Sequence, residues 1–253
     1  EFIVTASLGI TLYPDDGSDA RELMRAADLA MYKSKAEGKN THHFFSPSME
    51  AATREYSRLE QQLHNALERG EFSVVFQPIV RLNDVLPVGC EALLRWHNPL
   101  LGMVEPERFI PVAEQTGLII PIGEYVMREA CREIAWWNSQ HATQLYVAVN
   151  LSPRQFWHGG FTEMVAGILA ESGLMANCLE LELTEGMIIR DHRNTGRIMH
   201  DLNALGIKLA MDDFGTGYSS LSQLKRFPFD KLKIDRSFVK DLESDSDDDA
   251  VVR

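Results

Sequence analysis

The sequence predicts an α/β fold: a mostly parallel sheet covered by helices, of the (β/α)8 barrel kind, cut short after about six strands. Three observations predict it. β-like and helix-like runs alternate from Phe72 onward, the pattern of a parallel sheet with helical crossovers. Polar residues recur at the C-terminal ends of the β-like runs, on the face where barrels of this kind carry their active sites. The 253-residue chain leaves only its part after Gly70 for these strands. A complete barrel takes about 250 residues, so about two β/α units are expected to be missing.

The elements follow in order. Residues Phe2 to Tyr13 are β-like, and Pro14-Asp15-Asp16-Gly17 is a turn signal. A helix is expected from Asp19, with Glu22 in capping-box spacing and Leu23, Ala26, Ala27, Ala30 and Met31 as its apolar face. This first segment is too short to bury a core alone and reads as the end of a larger domain. A charged helix is expected over Ser48 to Arg69, closed by Gly70. The β-like runs are then Phe72–Val80, Val88–Trp96, Leu145–Leu151, Leu179–Leu183, Ile207–Met211 and Lys231–Ile234. Helices are expected at Pro121–Asn138, Phe161–Ser172, His192–Leu205 and Ser219–Phe227. The division expected is residues 1–47, a linker helix over 48–70, and a catalytic-type domain over 71–253.

Composition narrows the function. Lys and Arg number 25 against 37 Asp and Glu, a net charge of −12. That balance argues against a nucleic-acid polymer as partner but allows a small anionic ligand if cations offset the charge. No apolar run approaches the ~20 residues of a membrane helix, so no membrane segment is expected. Cys90, Cys131 and Cys178 are odd in number and widely spaced, as free buried thiols of a reducing cytosol would be.

The polar strand ends carry the candidate chemistry. They are Glu91 and Arg95, Asn150, Glu182 and Glu185, Asp212 and Asp213, and Lys233 with Asp235. Carboxylates with one amide oxygen form a hard-oxygen set, suited to Mg2+ or Mn2+ rather than zinc. A divalent ion would relieve the repulsion of paired aspartates and polarise a phosphoryl oxygen. Lys233 could then orient an attacking water or stabilise developing charge. Each residue also has a plainer reading. Glu91 could pair with Arg95, Asn150 and the Asp212-Asp213 pair could be turn formers, and Lys233 could be a surface lysine. Their co-occurrence at five strand ends favours a metal-dependent hydrolase.

These residues also resemble a known family. Glu91-Ala92-Leu93-Leu94-Arg95-Trp96 is similar to the signature of EAL domains, bacterial phosphodiesterases for cyclic di-GMP. Phe76-Gln77-Pro78-Ile79, Asn150-Leu151-Ser152-Pro153-Arg154-Gln155-Phe156, Glu182-Leu183-Thr184-Glu185, Asp212 to Leu221 and Lys233-Ile234-Asp235 resemble its further motifs, in order. Ala6-Ser7-Leu8-Gly9-Ile10, Tyr13 to Gly17 and Ala27 to Lys33 look like the C-terminal end of a GGDEF (diguanylate cyclase) domain, without its Gly-Gly-Asp-Glu-Phe loop. The resemblance implies an EAL-type, TIM-like barrel. It implies Glu91, Asn150, Glu182, Asp212 and Asp213 as metal ligands, with Glu91, Asp213 and Lys233 catalytic. It implies Gln77, Arg95 and Asp235 as substrate contacts, and Glu185 as support for the loop after Asp213. The resemblance further implies that this loop, Asp213 to Ser220, forms part of a homodimer interface. Two further family motifs, Ala-Glu-Gly-Val-Glu and Gln-Gly, would lie beyond Arg253.

The leading expectation is therefore Mg2+- or Mn2+-dependent hydrolysis of cyclic di-GMP to linear pGpG, in the cytoplasm, with upstream domains of the parent able to tether it to a membrane. The alternative is a receptor that holds cyclic di-GMP without cleaving it and signals through the linker helix or the dimer. A scaffold with neither activity is the least favoured reading, since unneutralised carboxylates at one barrel mouth would cost stability.

Overall fold

The structure is a computed structural model that describes residues 5–36, 39–141, 144–190, 192–215, 227–235 and 238. The chain divides into two compact units, Glu1–His64 and Asn65–Arg253.

In the first unit, β1 (Leu8–Ile10) and β2 (His42–Phe44) pair in parallel, joined by α1 (Ala20–Ala36). The helix lies close on the strand because Gly9 has no side chain. A Cβ there would stand 1.9 Å from the Ala27 carbonyl oxygen. Buried Ser34 ties helix to strand, its hydroxyl donating to the Leu8 carbonyl at 2.7 Å. The expected strand over Phe2 to Tyr13 is shorter within the described residues, since only Leu8–Ile10 finds a partner. Asp19 caps α1 as expected, accepting from the Glu22 N–H at 2.8 Å. Glu22 reaches back one residue further than a capping box requires, to the Ser18 N–H at 2.8 Å. The charged helix, α2, spans Pro47–Leu63 rather than running to Arg69. Residues 64–70 continue as turns that close on Gly70, whose φ of 65° is the left-handed conformation glycine adopts without strain.

The second unit holds one sheet, with the path β3 (Phe72–Val80), β4 (Pro87–Asn98), β6 (Tyr146–Asn150), β7 (Leu179–Thr184), β8 (Lys208–Phe214) and β9 (Lys231–Ile234). All neighbours from β4 onward pair in parallel. The first pair departs from the expectation: β3 and β4 run antiparallel, Gln77 opposite Glu91. The reason is the connection. Arg81 to Leu86 is a hairpin loop, too short for the crossover that parallel strands need. A short strand, β5 (Gly102–Val104), folds back on the end of β4.

The second unit also carries helices α3 (Pro106–Thr116), α4 (Ile119–Gln140), α5 (Pro153–Phe156), α6 (Phe161–Ser172), α7 (Glu185–Arg190) and α8 (His192–Ala204), and a 3-10 turn at Ala176–Cys178. The sequence reading lacks α3, which contains Pro106 and Pro111. Pro106 opens the helix, where its missing N–H costs nothing, and Pro111 is carried inside it. Pro121 likewise sits in the first turn of α4, which begins two residues earlier than expected. The expected helix Ser219–Phe227 falls outside the described residues, Phe227 excepted.

The core lies between the sheet and α4, α6 and α8. Val147, Val149, Leu179, Leu181, Leu183 and Leu209 from the strands meet Met127, Cys131, Val165, Ile168, Met199 and Leu202 from the helices, all buried. β7 makes the pattern plain. Its leucines face this core, so the alternating Glu180 and Glu182 point to the opposite face of the sheet. That face carries the candidate site.

Candidate active site

Five strands bring the candidate residues together. Glu91 lies in β4 opposite Ala148 of β6, one residue before the parallel β4–β6 ladder ends at Ala92. Asn150 ends β6 opposite Glu182 of β7, and Asp212 of β8 is opposite Thr184. Lys233 comes from β9. The sequence places Glu91 at a strand end. In fact β4 runs on to Asn98, because its far half pairs with β3 and β5.

A single ammonium joins the carboxylates. Lys233 Nζ lies 2.5 Å from Glu182 Oε2, 3.3 Å from Asp212 Oδ1 and 3.6 Å from Glu91 Oε2. Asn150 Nδ2 donates to the other Glu91 oxygen at 2.7 Å. The plainer readings fail for these residues: Glu91 faces Lys233 and Asn150 rather than Arg95, and Lys233 is no surface lysine.

Burial differs sharply within the cluster. The Glu182 side chain is 0% exposed, against 20–27% for Asp212, Glu91 and Lys233. Burial pushes the Glu182 carboxyl up to about 7, with Glu91 and Asp212 adding to the rise against the pull of Lys233. At Lys233 burial alone would lower the ammonium, but its carboxylate contacts outweigh it and hold it above the usual range. One atom is left over: among the described residues, Glu182 Oε1 is a buried side-chain oxygen with no hydrogen-bond partner.

The aspartate pair sits on a distortion. The β8–β9 register slips between Met211 and Phe214, and Asp213 has φ 55°. A non-glycine residue in this region is a strain found at functional turns. Burial, then repulsion from Asp212 and Asp235, raises the Asp213 carboxyl. Asp235 is thereby coupled to the site through Asp213. Gln77 adjoins it through its register with Glu91. Glu185 opens α7 directly after β7 and is 5% exposed. The loop after Asp213, with its expected dimer contact, lies outside the described residues beyond Gly215.

Arg95 is set apart from the charged cluster. Its guanidinium donates to the Leu94 carbonyl at 2.9 Å. Together with Asn150 it lines a largely apolar cavity of about 540 Å3 walled by Leu94, Ile110, Ile122 and Leu151. The cavity does not include the carboxylates. The cavity offers the charged cluster an adjoining apolar wall.

The family model for the EAL domain matches residues 60–253. The chain belongs to the EAL domain family. The model for the GGDEF diguanylate cyclase domain matches residues 1–41 ahead of it. Over 252 residues the chain is 45% identical to the bifunctional diguanylate cyclase/cyclic di-GMP phosphodiesterase MucR of Pseudomonas aeruginosa, covering 100% of this chain and 37% of that protein. It is 39% identical to the cyclic di-GMP phosphodiesterase NbdA of the same organism, covering 95% and 31%. Among solved structures, the PaMucR phosphodiesterase in complex with c-di-GMP superposes with a TM-score of 0.73 at 44% identity, covering 77% of this chain and 79% of that one. The chain thus spans about a third of the length of these curated relatives.

Among the described residues, no three His, Cys, Asp or Glu side chains stand close enough to form a ligand group by themselves. What Glu91, Glu182 and Asp212 share is a cation, the Lys233 ammonium. The donors fit a hard ion in kind: three carboxylates and an amide on neighbouring strands, and a buried Glu182 oxygen with no partner. No helix among the described residues is long and apolar enough to cross a membrane.

Sequence reasoning missed a second ion pair below the site. Lys231 Nζ lies 2.7 Å from Glu180 Oε2 and 2.9 Å from the Tyr146 hydroxyl. The signal was present: Glu180 and Lys231 each precede a site residue by two positions, hence on the same face.

Proposed function

We propose that this EAL domain hydrolyses cyclic di-GMP to linear pGpG with Mg2+ or Mn2+. The observation that carries the reading is the convergence of Glu91, Glu182 and Asp212 on Lys233, with Glu182 Oε1 buried and unpartnered. The relatives named as cyclic di-GMP phosphodiesterases support the substrate.

Glu91, Asn150, Glu182, Asp212 and Asp213 would hold the metal. Bound there, a divalent ion supplies charge neutralisation and a polarised phosphoryl oxygen. The protein's own groups do the rest. Lys233 donates from Nζ to orient the attacking water and steady charge on the phosphoryl oxygens. Asp213 accepts the water's proton as the oxygen attacks phosphorus, and the bond to the 3′ oxygen breaks as that oxygen takes up a proton from solvent and leaves as a hydroxyl. Arg95 offers its forked donors to a phosphate, and Gln77 and Asp235 contact the substrate. Glu185 steadies the loop after Asp213, and a homodimer through that loop belongs to the same reading. The domain division 1–47, 48–70 and 71–253, and a cytoplasmic setting, complete it.

The test is chromatography of cyclic di-GMP incubated with the chain and Mg2+ or Mn2+, repeated with chelator. Metal-dependent pGpG is expected, and both Glu91→Ala and Lys233→Met should lose about 100-fold or more in turnover with the fold retained. Binding without any pGpG would instead support a receptor. Sedimentation with and without metal checks the dimer.

A further inference from the structure

Asn150 is the one candidate ligand that is not a carboxylate, and it is exposed at the end of β6. Its amide can stay on Glu91 only if the turn that follows is held. Gln155 closes that turn. The Ser152 hydroxyl accepts from the Gln155 N–H at 3.2 Å, and Gln155 Oε1 accepts from the Ser152 N–H at 3.2 Å. Both residues are buried, 8% and 4% exposed.

A capping box of this kind is a local device. Here it is gripped from outside as well. α5 has four residues, too few to be stable alone. Gly123 lies within α4, and a Cβ there would stand 1.5 Å from Gln155 Nε2 and 2.3 Å from its Cδ. Glycine is a poor residue for a helix interior. It leaves here a notch that the Gln155 amide occupies. On the other side, Arg154 Nη1 donates to the Glu114 and Gln115 carbonyls at 2.6 and 2.9 Å, anchoring the turn to the end of α3.

We propose that Gln155, seated in the Gly123 notch, is a positioning residue for Asn150, holding the β6–α5 turn so that the Asn150 amide stays on Glu91. Its bearing on turnover rests on the hydrolase reading above. Its bearing on geometry does not.

Three variants of the full chain test it: Gln155→Ala, Gly123→Ala and the double variant. The readouts are the Asn150 side-chain amide signal in 15N–1H spectra (assigned through Asn150→Asp), the melting temperature, and kcat with KM for cyclic di-GMP. In Gln155→Ala the Asn150 amide protons should exchange at least tenfold faster and kcat should fall about tenfold, with KM within twofold. Gly123→Ala should do the same, because its methyl expels the amide. In the double variant the methyl fills the vacated notch, so melting should return to the wild-type temperature while the Asn150 signal stays released and kcat stays low. An unchanged Asn150 signal in Gln155→Ala, or a double variant that regains kcat together with melting temperature, overturns the proposal. If the wild type makes no pGpG but the Asn150 signal responds as stated, the hydrolase reading falls and the positioning role stands.

Discussion

Glu71 is a buried carboxylate outside the candidate site, 8% exposed. Its Oε2 accepts from Trp96 Nε1 and Asn98 Nδ2, both at 2.9 Å, and its Oε1 accepts from Arg69 Nε at 2.5 Å. Burial alone would raise its carboxyl, but these bonds outweigh burial and hold it below the ordinary range. The sign of the pH dependence follows. A group whose folded value is depressed contributes its stability fully above the unfolded value, about 4.3 for glutamate, and loses it as pH falls through the folded value. Stability should therefore decline below about pH 4 to 5, and Glu71→Gln should flatten that decline in denaturant melts taken across the acid range. Glu71→Ala should cost about 3 kcal/mol at neutral pH, because it strands the indole and amide donors of Trp96 and Asn98. A variant as stable as the parent at pH 7 would show that the network adds nothing.

At the scale of elements, β7 and β9 meet across β8 as a two-rung ladder. Glu182 with Lys233 is the upper rung and Glu180 with Lys231 the lower. The lower rung packs its ammonium 4.3 Å from the centre of the Tyr146 ring. Because strand side chains alternate, both rungs face the same way, and a one-residue slip of either strand would turn its two charges toward the apolar core. The ladder thus pins the strand that carries Lys233. Lys231→Met should destabilise by about 2 kcal/mol by leaving the Glu180 carboxylate buried alone. That is less than a fully buried pair would cost, since the Lys231 side chain is 39% exposed. Adding Glu180→Gln should recover most of the loss. A double variant as unstable as the single one would mean that the pair acts through something other than charge.

At the scale of the whole EAL unit, the core isolates its thiols. Cys90, Cys131 and Cys178 are all buried and free. Burial pushes the Cys131 thiol up to about 12 and the Cys90 thiol up to about 11. A thiol held that high is a poor nucleophile at neutral pH. Cys131 lies between α4 and the sheet, so a labelling reagent reaches it only when that layer opens. Its labelling rate in native buffer should match the rate of global unfolding, read by mass spectrometry. Fast labelling of Cys131 in the folded protein would mean that α4 lifts from the sheet on its own.

Alternation along single segments was legible in the sequence. Leu179-Glu180-Leu181-Glu182-Leu183 states by itself which side chains meet the helices and which do not. The same local reading found five of the six strands of the path within about two residues of their observed ends. It also found the hard-oxygen character of the site and the motifs that identify the family. Other features needed the fold. The antiparallel β3–β4 pair, the reach of Lys233 to Glu182 51 residues away and the seat of Gln155 against Gly123 all depend on which elements become neighbours. Periodicity acts over two to four residues and decides faces. The register between strands tens of residues apart is decided by how those faces pack, and only the tertiary structure contains it.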